Sequence, residues 1–196
     1  MINVLIIGAT GSVGSTVRER LLQNSQIQLT SMARHANRLK PAENEHLVTG
    51  DIFDSALLAQ TVRGQDFVFV AFSGAMKKAA KAVINAMEQT STKRLAFIAS
   101  MGIYNEVPGH NLDEPIPSIL RPYREAADLI EASNLDYTVI RPGWFTQGPV
   151  NYQITHKGET FGGHDVSLES IADLVNKLVQ EPTLYSRESI GINTPI

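Results

Sequence analysis

Apolar residues along the chain follow two alternating rhythms. Short consecutive runs rich in β-branched residues alternate with stretches where apolar residues recur three or four positions apart. The first kind reads as strands buried on both faces, the second as helices with one face on a core. Strands are predicted over Ile2–Ile7, Ile27–Ala33, Leu47–Thr49, Asp66–Ala71, Arg94–Ala99, Asp136–Ile140 and Ser189–Asn193. A first helix is predicted over Ser15–Gln23, with Val13, Val17 and Leu21 four apart, and a second from Asp54 or Ser55 to Val62, closed by Gly64. A third, over residues 75–89, places Ala79, Ala80, Val83, Ile84 and Met87 on one face. A fourth runs from Ser118 or Pro122 to Ser133, and a last one, opened by Ser167 or Leu168, faces Ile171, Leu174, Val175 and Leu178 inward until Pro182 stops it. Met101–Pro117 holds two glycines and three prolines and reads as a long loop. Asn151–His164 is polar and irregular, with or without a short strand. The alternation predicts an α/β fold in which one doubly wound, mostly parallel sheet is covered by helices on both faces. One domain is expected over residues 1–196, with residues from about 144 to 196 forming a small substrate-side portion.

The first strand runs straight into Gly8-Ala9-Thr10-Gly11-Ser12-Val13-Gly14 and then into the first helix. Three glycines in that setting have separate tasks. One turns the chain off the strand, one lets a pyrophosphate approach the backbone, and one lets helix and strand pack closely. The free N–H groups and positive dipole end of the helix then face the phosphates. The spacing is Gly-x-x-Gly-x-x-Gly, not the commoner Gly-x-Gly-x-x-Gly, but the strand before and the helix after supply the context a dinucleotide site needs. The predicted fold is thus a Rossmann fold. Its ligand crevice lies outside the carboxyl ends of the strands. Gly8 to Gly14, Arg34, Asp51, Phe72-Ser73-Gly74, Ser100-Met101 and Arg141 to Phe145 are expected around it.

A site for NAD(H) usually places an acidic residue at the end of the second strand, to hold the ribose 2′-hydroxyl. No acidic residue occurs between Glu19 and Glu43; Arg34, His35 and Arg38 stand there instead. An arginine grips a phosphate bidentately, so NADP(H) is expected over NAD(H). The competing reading is a solvated basic loop.

Composition narrows the partners. With 196 residues, 43% of them hydrophobic, the chain can bury a substantial core. A net charge of −3 argues against nucleic acid or an anionic membrane as partner. The absence of cysteine excludes disulfides and thiolate chemistry and suits a reducing compartment. The first strand begins at residue 2, leaving no room for a signal peptide, and the densest apolar run, Phe67 to Phe72, is too short to span a bilayer. A cytoplasmic protein is expected. His35, His46, His110, His156 and His164 show no metal-ligand spacing, so no metal site is expected. Lys77, Lys78 and Lys81 read as a solvated helix face.

The glycine motif, Gly50-Asp51 after strand three, Ser100 after strand five and Leu135-Asp136-Tyr137-Thr138-Val139-Ile140-Arg141-Pro142-Gly143 together resemble atypical short-chain dehydrogenase/reductases, the NmrA-like or NAD(P)H-binding proteins. The likeness extends through Glu169-Ser170-Ile171-Ala172-Asp173-Leu174. That group includes flavin and biliverdin reductases, quinone reductases, epimerase-like enzymes and non-enzymatic redox sensors. The resemblance implies that Gly8, Gly11 and Gly14, with Thr10, Ser12 and Val13, hold the pyrophosphate. It puts Asp51 and Ile52 against the adenine. Phe72, Ser73 and Gly74 would line the ribose and nicotinamide channel, and Pro142, Gly143 and Trp144 would flank the nicotinamide. Trp144 and Phe145 would face the substrate. Ordinary members carry a Tyr-x-x-x-Lys pair on the helix after the Ser100 strand, which supplies a proton to the substrate oxygen. Here Tyr123 is followed four residues on by Ala127, and neither possible register restores the pair.

Each of these residues has a plainer reading beside the functional one. Asp51 could simply cap a turn, Ser100 could be an ordinary strand-end serine, and Tyr104 could pack rather than donate a proton. Trp144 and Phe145 could be core, yet large apolar side chains on a ligand-facing loop more often line a pocket, and Met101 is expected beside them. The expected function is an NADP(H)-dependent oxidoreductase passing hydride to a flavin, quinone or similar conjugated acceptor, with Ser100, Tyr104 and Tyr123 as the candidate catalytic residues. The alternative is a non-catalytic dinucleotide sensor that signals to a protein partner. An epimerase- or dehydratase-like enzyme is a weaker third, disfavoured by the short C-terminal region and the missing pair.

Overall fold

The computed structural model describes residues 1–109 and 114–195. The centre of the predicted loop and His110, excluded above as a metal ligand, lie outside the described residues. In chain order the elements are β1 (Ile2–Ile7), α1 (Ser12–Leu22), β2 (Ile27–Ala33), β3 (Glu45–Thr49), α2 (Ser55–Val62), β4 (Phe67–Val70) and α3 (Met76–Thr90). There follow β5 (Arg94–Ile98), α4 (Arg121–Glu131), β6 (Asp136–Pro142), β7 (Trp144–Thr146), β8 (Gln153–His156), β9 (Asp165–Ser167), α5 (Leu168–Gln180) and β10 (Glu188–Asn193).

Eight strands form one sheet in the order β3-β2-β1-β4-β5-β6-β10-β8, and only the edge strand β8 runs antiparallel to its neighbour. α1 and α5 cover one face, where Val17, Leu21, Ile171 and Val175 pack on Val4, Ile6 and Phe69. α2, α3 and α4 cover the other, where Leu58, Val83, Met87 and Ile130 pack on Leu5, Val68 and Phe97. This is the doubly wound α/β sheet that the alternation predicts, a Rossmann-like fold with five α-helices among the described residues. The chain winds outward through β2 and β3, then crosses back to β4 beside β1. The order therefore reverses between β1 and β4, and the glycine turn leaves β1 at that point.

Several boundaries differ from the sequence reading, for local reasons. α1 begins at Ser12, not Ser15, because the N–H of Ser15 already donates to the Gly11 carbonyl at 2.8 Å; the glycine motif is itself the first helical turn. β6 continues to Pro142 because β10 pairs along it, up to Ile192 opposite Pro142. A two-stranded parallel pair, β7 with β9, lies outside the pattern's reach, since each strand is three residues long. Asp54 caps α2 through the Leu57 N–H at 3.0 Å, and Ser167 caps α5 through the Ser170 N–H at 3.1 Å.

One buried ion pair ties the glycine-motif helix to the sheet edge. The Glu45 carboxylate receives Arg18 Nε and Nη2, both at 2.5 Å, with Ser31 Oγ at 2.6 Å and the Ala42 N–H at 3.1 Å. Burial alone would push the Glu45 carboxyl up; the hydrogen bonds from Arg18, Ser31 and Ala42 outweigh it and hold the group below its ordinary value. A carboxyl lowered in the folded state contributes stability that is complete above the unfolded value and drains away as pH falls through the folded one. Glu45→Gln is therefore expected to unfold at lower urea concentration than the parent at pH 7. The gap should narrow as the pH drops below the ordinary glutamate value of 4.5. A gap that is constant from neutral to acid pH would show that the Glu45 charge contributes nothing.

Candidate functional site

The three glycines divide their tasks. Gly8 ends β1 with φ at +95°, and a Cβ there would lie 2.2 Å from the Ala71 carbonyl oxygen, so both the turn and the neighbouring β4 exit require glycine. A Cβ on Gly14 would lie 2.1 Å from the Gly8 carbonyl oxygen, which makes Gly14 the close-packing position between helix and strand. Gly11 is different. Its φ is −77°, and a Cβ there would meet only the Gly8 oxygen, at an ordinary 3.5 Å. Gly11 is the open member of the set, on the crevice side. No side chain caps α1, so the N–H groups of its first turn, at Ser12, Val13 and Gly14, are left for a ligand.

Around that turn lies a crevice of about 240 Å³ walled by Gly8, Thr10, Gly11, Arg34, His35, Asp51, Ile52, Phe72 and Ser73. Cationic Arg34 follows β2 directly, while Asp51 and Ile52 follow β3. Asp51 also fills its plainer role: its carboxylate accepts the Phe53 N–H at 2.9 Å and its carbonyl the Asp54 N–H at 3.0 Å. Two expected residues fall outside this wall. Arg38 is carried away on a short 3₁₀ turn, Ala36–Arg38, and points to solvent. Gly74, with φ at +136°, is exposed, and a Cβ there would lie 3.3 Å from the Phe72 ring.

Farther along the same strand ends, past β5 and β6, opens a larger cavity of about 520 Å³. Ala99, Ser100, Met101 and Asn105 form one side, Pro142, Gly143, Trp144 and Phe145 the other, and Ile119 and Leu120, just before α4, close it with Tyr123 from the first turn of α4. The Met101 N–H donates to the Pro142 carbonyl at 3.1 Å, stitching the two sides together at their base. Gly143 is required there: a Cβ would lie 2.4 Å from the His164 carbonyl oxygen, where β9 approaches. Ser100 Oγ donates to the Met101 carbonyl at 3.1 Å. β4 and β5 are paired neighbours, so Ala71 to Ser73, which line the crevice, and Ala99 and Ser100, which line the cavity, leave the sheet from adjacent strands.

Residues 8–182 match the family described as NAD(P)H-binding. The chain belongs to this family. It is 37% identical to a Rossmann-fold NAD(P)-binding family protein from Shigella flexneri, covering 100% of this chain and 94% of that one, with a TM-score of 0.89. A short-chain dehydrogenase/reductase from Veillonella parvula, solved in complex with NADP, shares the fold at a TM-score of 0.88 and 24% identity, over 99% of this chain and 95% of its own. So does ChuY, an anaerobilin reductase from Escherichia coli O157:H7, at 0.80 and 22%, over 98% and 97%. No curated protein matches the sequence.

In this NAD(P)H-binding chain, Tyr123 lies in the first turn of α4 at the cavity wall, and the position four residues on is buried Ala127. Tyr104, expected as a candidate acid, is corrected by its surroundings: it does not line the cavity. Its hydroxyl donates to the Glu131 carboxylate, with Ser189 Oγ at 3.3 Å, and Lys157, Arg124 and Arg141 approach its ring at 4.4, 5.0 and 5.2 Å. Burial pushes this phenol well up from its ordinary value, and the hydrogen bond it donates to the Glu131 carboxylate pushes it further. Such a group packs and braces; it does not exchange protons with a ligand outside its reach. Sequence reasoning placed Arg141 at the crevice but missed Glu106, the residue that pairs with it. Glu106, 6% exposed, pairs with Arg141, 0% exposed, and also accepts the Gly102 and Tyr104 N–H groups at 3.0 and 2.8 Å. No periodicity marks a lone glutamate in an irregular loop, and its partner lies 35 residues away. Among the described residues no cluster of metal-binding type occurs and no helix is long and apolar enough to cross a membrane.

Proposed function

We propose that this protein is an NADP(H)-dependent reductase that passes hydride to a planar, conjugated acceptor held in the 520 Å³ cavity. The observation that carries the reading is a pair of unlike sites at the carboxyl ends of neighbouring strands of one sheet. One is a phosphate-sized cradle of helix N–H groups with Arg34 and His35; the other is an apolar, aromatic-walled cavity without a Tyr-x-x-x-Lys acid. NADPH bound across both supplies a hydride at the nicotinamide. The chain's part is then to bind, orient and exclude water. Reducing an isolated carbonyl concentrates charge on one oxygen and calls for a positioned acid, contributing typically about 10²–10⁴-fold. A conjugated acceptor spreads that charge and can take its proton from water, which suits walls offering Trp144, Phe145 and Met101. The NADP complex of the Veillonella protein and the reductase activity of ChuY support the same direction. The absence of cysteine supports a cytoplasmic setting.

The test is steady-state NADPH oxidation against a panel of flavins, quinones and linear tetrapyrroles, in the parent and in Trp144→Ala. Turnover that depends on acceptor and falls in the variant is the expected result. Tight NADPH binding with no turnover on any acceptor would favour the non-catalytic sensor. Efficient reduction of simple ketones would show that the site handles protons in another way.

The NADP(H) preference has its own check. A charged hydrogen bond contributes about 1.5–3 kcal/mol, so Arg34→Ala is expected to weaken NADPH binding by about tenfold or more while leaving NADH nearly unchanged. Equal affinities for the two cofactors in the parent would refute the preference.

A further inference from the structure

Among the described residues, five large apolar side chains are exposed: Met1, Ile119, Trp144, Phe145 and Val150. Three of the five stand on one feature. Ile119, Trp144 and Phe145, at 77, 65 and 47% exposure, all line the 520 Å³ cavity. They come from different parts of the chain: Ile119 from the turn before α4, Trp144 and Phe145 from β7. Each of them both walls the cavity and reaches solvent.

The two β7 residues are held firmly. The Trp144 N–H donates to the His164 carbonyl at 2.9 Å, β7 pairs with β9, and the indole stacks on the His164 ring at 6.4 Å between centroids. A fixed indole facing water exposes apolar area at a standing cost in free energy, and burying that area recovers it. A flat ring inside the cavity covers the inward sides of these residues and leaves their outer sides wet. A ligand that also covers the outer sides must continue past the mouth, and must be apolar there.

We infer that Ile119, Trp144 and Phe145 form a subsite for a hydrocarbon substituent: the acceptor is a neutral ring, such as a quinone, carrying an aliphatic tail that lies across this rim. The inference rests on the reading of the cavity as the acceptor site. Reduction of such a quinone moves one hydride from NADPH and one proton from solvent onto the ring, giving the hydroquinone and NADP⁺.

Trp144 is the sole tryptophan, so its fluorescence reports this rim directly and does not require turnover. The experiment titrates the NADP⁺-saturated protein with a methyl-substituted benzoquinone and with the same ring bearing a decyl tail, following that emission. The same pair is run as substrates with NADPH. The decyl compound is expected to bind at least about tenfold more tightly, and to show at least a tenfold higher kcat/KM, because several methylenes leave water on the rim. In Ile119→Ser and in Phe145→Ser the ratio between the two quinones should fall towards one. A ratio is insensitive to a partly unfolded sample, so a poorly folding variant does not mimic the result. A ratio near one in the parent overturns the subsite. So does a ratio unchanged in both variants, or a rim buried between two copies, seen as a dimer that Ile119→Asp dissociates with the ratio intact. If neither quinone nor any other acceptor oxidises NADPH, the reductase reading fails instead, and the binding ratio still decides the subsite.

Discussion

Glu106→Gln is expected to cost about 3–5 kcal/mol of folding stability, the effect of leaving one member of a buried ion pair uncompensated. The Glu106 carboxylate has three donors on it that glutamine cannot satisfy together. It accepts the Gly102 and Tyr104 N–H groups at 3.0 and 2.8 Å, receives Arg141 Nη1, and does so with almost no solvent to share the charge. Arg141 has other partners, Ser189 Oγ at 3.2 Å from Nε and the Ser189 carbonyl at 3.3 Å from Nη2, but both are neutral. The guanidinium would stay charged and fully buried without its counter-ion. Replacing both members removes that penalty, so Glu106→Gln combined with Arg141→Met should recover much of the loss. Urea unfolding of the three variants and the parent measures this. A single variant within about 0.5 kcal/mol of the parent, the range of ordinary surface substitutions, would mean that the pair is not buried in solution. The consequence also reaches the cavity. Glu106 anchors the backbone just after Ser100 and Met101, and Arg141 precedes Pro142 and Gly143, so one ion pair fixes both sides of the cavity relative to each other.

The fold was legible because its signals are local and repeated. The central strands of the parallel sheet are buried on both faces and read as short apolar runs; each helix has a one-sided stripe. The glycine turn was legible for the same reason, since strand, turn and helix are contiguous. What escaped the sequence depends on contacts between distant segments. β7 and β9 are three residues each, and their pairing of Trp144 with Asp165 has no pattern to announce it. Arg38 looked equivalent to Arg34 along the chain, but a single 3₁₀ turn after His35 sends it outward. Tyr104 and Tyr123 looked like alternatives for one task, yet one braces Glu131 and Arg141 while the other walls the cavity. Ile119 stood in a proline-rich stretch with no periodicity, marked only by a register that puts the family's tyrosine position near it. Strand ends pointed to where the candidate crevice and cavity open, and gave no direction for the side chains around them.

Gly11→Val is expected to leave the fold intact and to weaken NADPH binding by about 10- to 100-fold, since forcing a branched side chain into a close contact costs about 1–3 kcal/mol. The structure makes this a clean substitution, because the three glycines differ in what a side chain would meet. At Gly8 a Cβ would lie 2.2 Å from the Ala71 carbonyl oxygen on a left-handed backbone, and at Gly14 it would lie 2.1 Å from the Gly8 carbonyl oxygen. Valine at either site must move the backbone between β1, α1 and β4, and any loss of binding there would report damage to the sheet. At Gly11 the backbone is extended, with φ −77° and ψ 167°, which valine adopts without strain, and the nearest atom to a Cβ is 3.5 Å away. The added methyl groups stand in open space on the crevice that Gly11 lines, beside the N–H groups that open α1, where the proposed pyrophosphate would come close. Melting temperature and NADPH titration, measured side by side, separate the two effects. An unchanged melting temperature with a raised Kd places the phosphates on the glycine turn. If Kd also stays at the parent value, the phosphates must be held elsewhere, and the crevice beside Arg34 would lose its claim to the 2′-phosphate, since that assignment depends on the cofactor starting from Gly11.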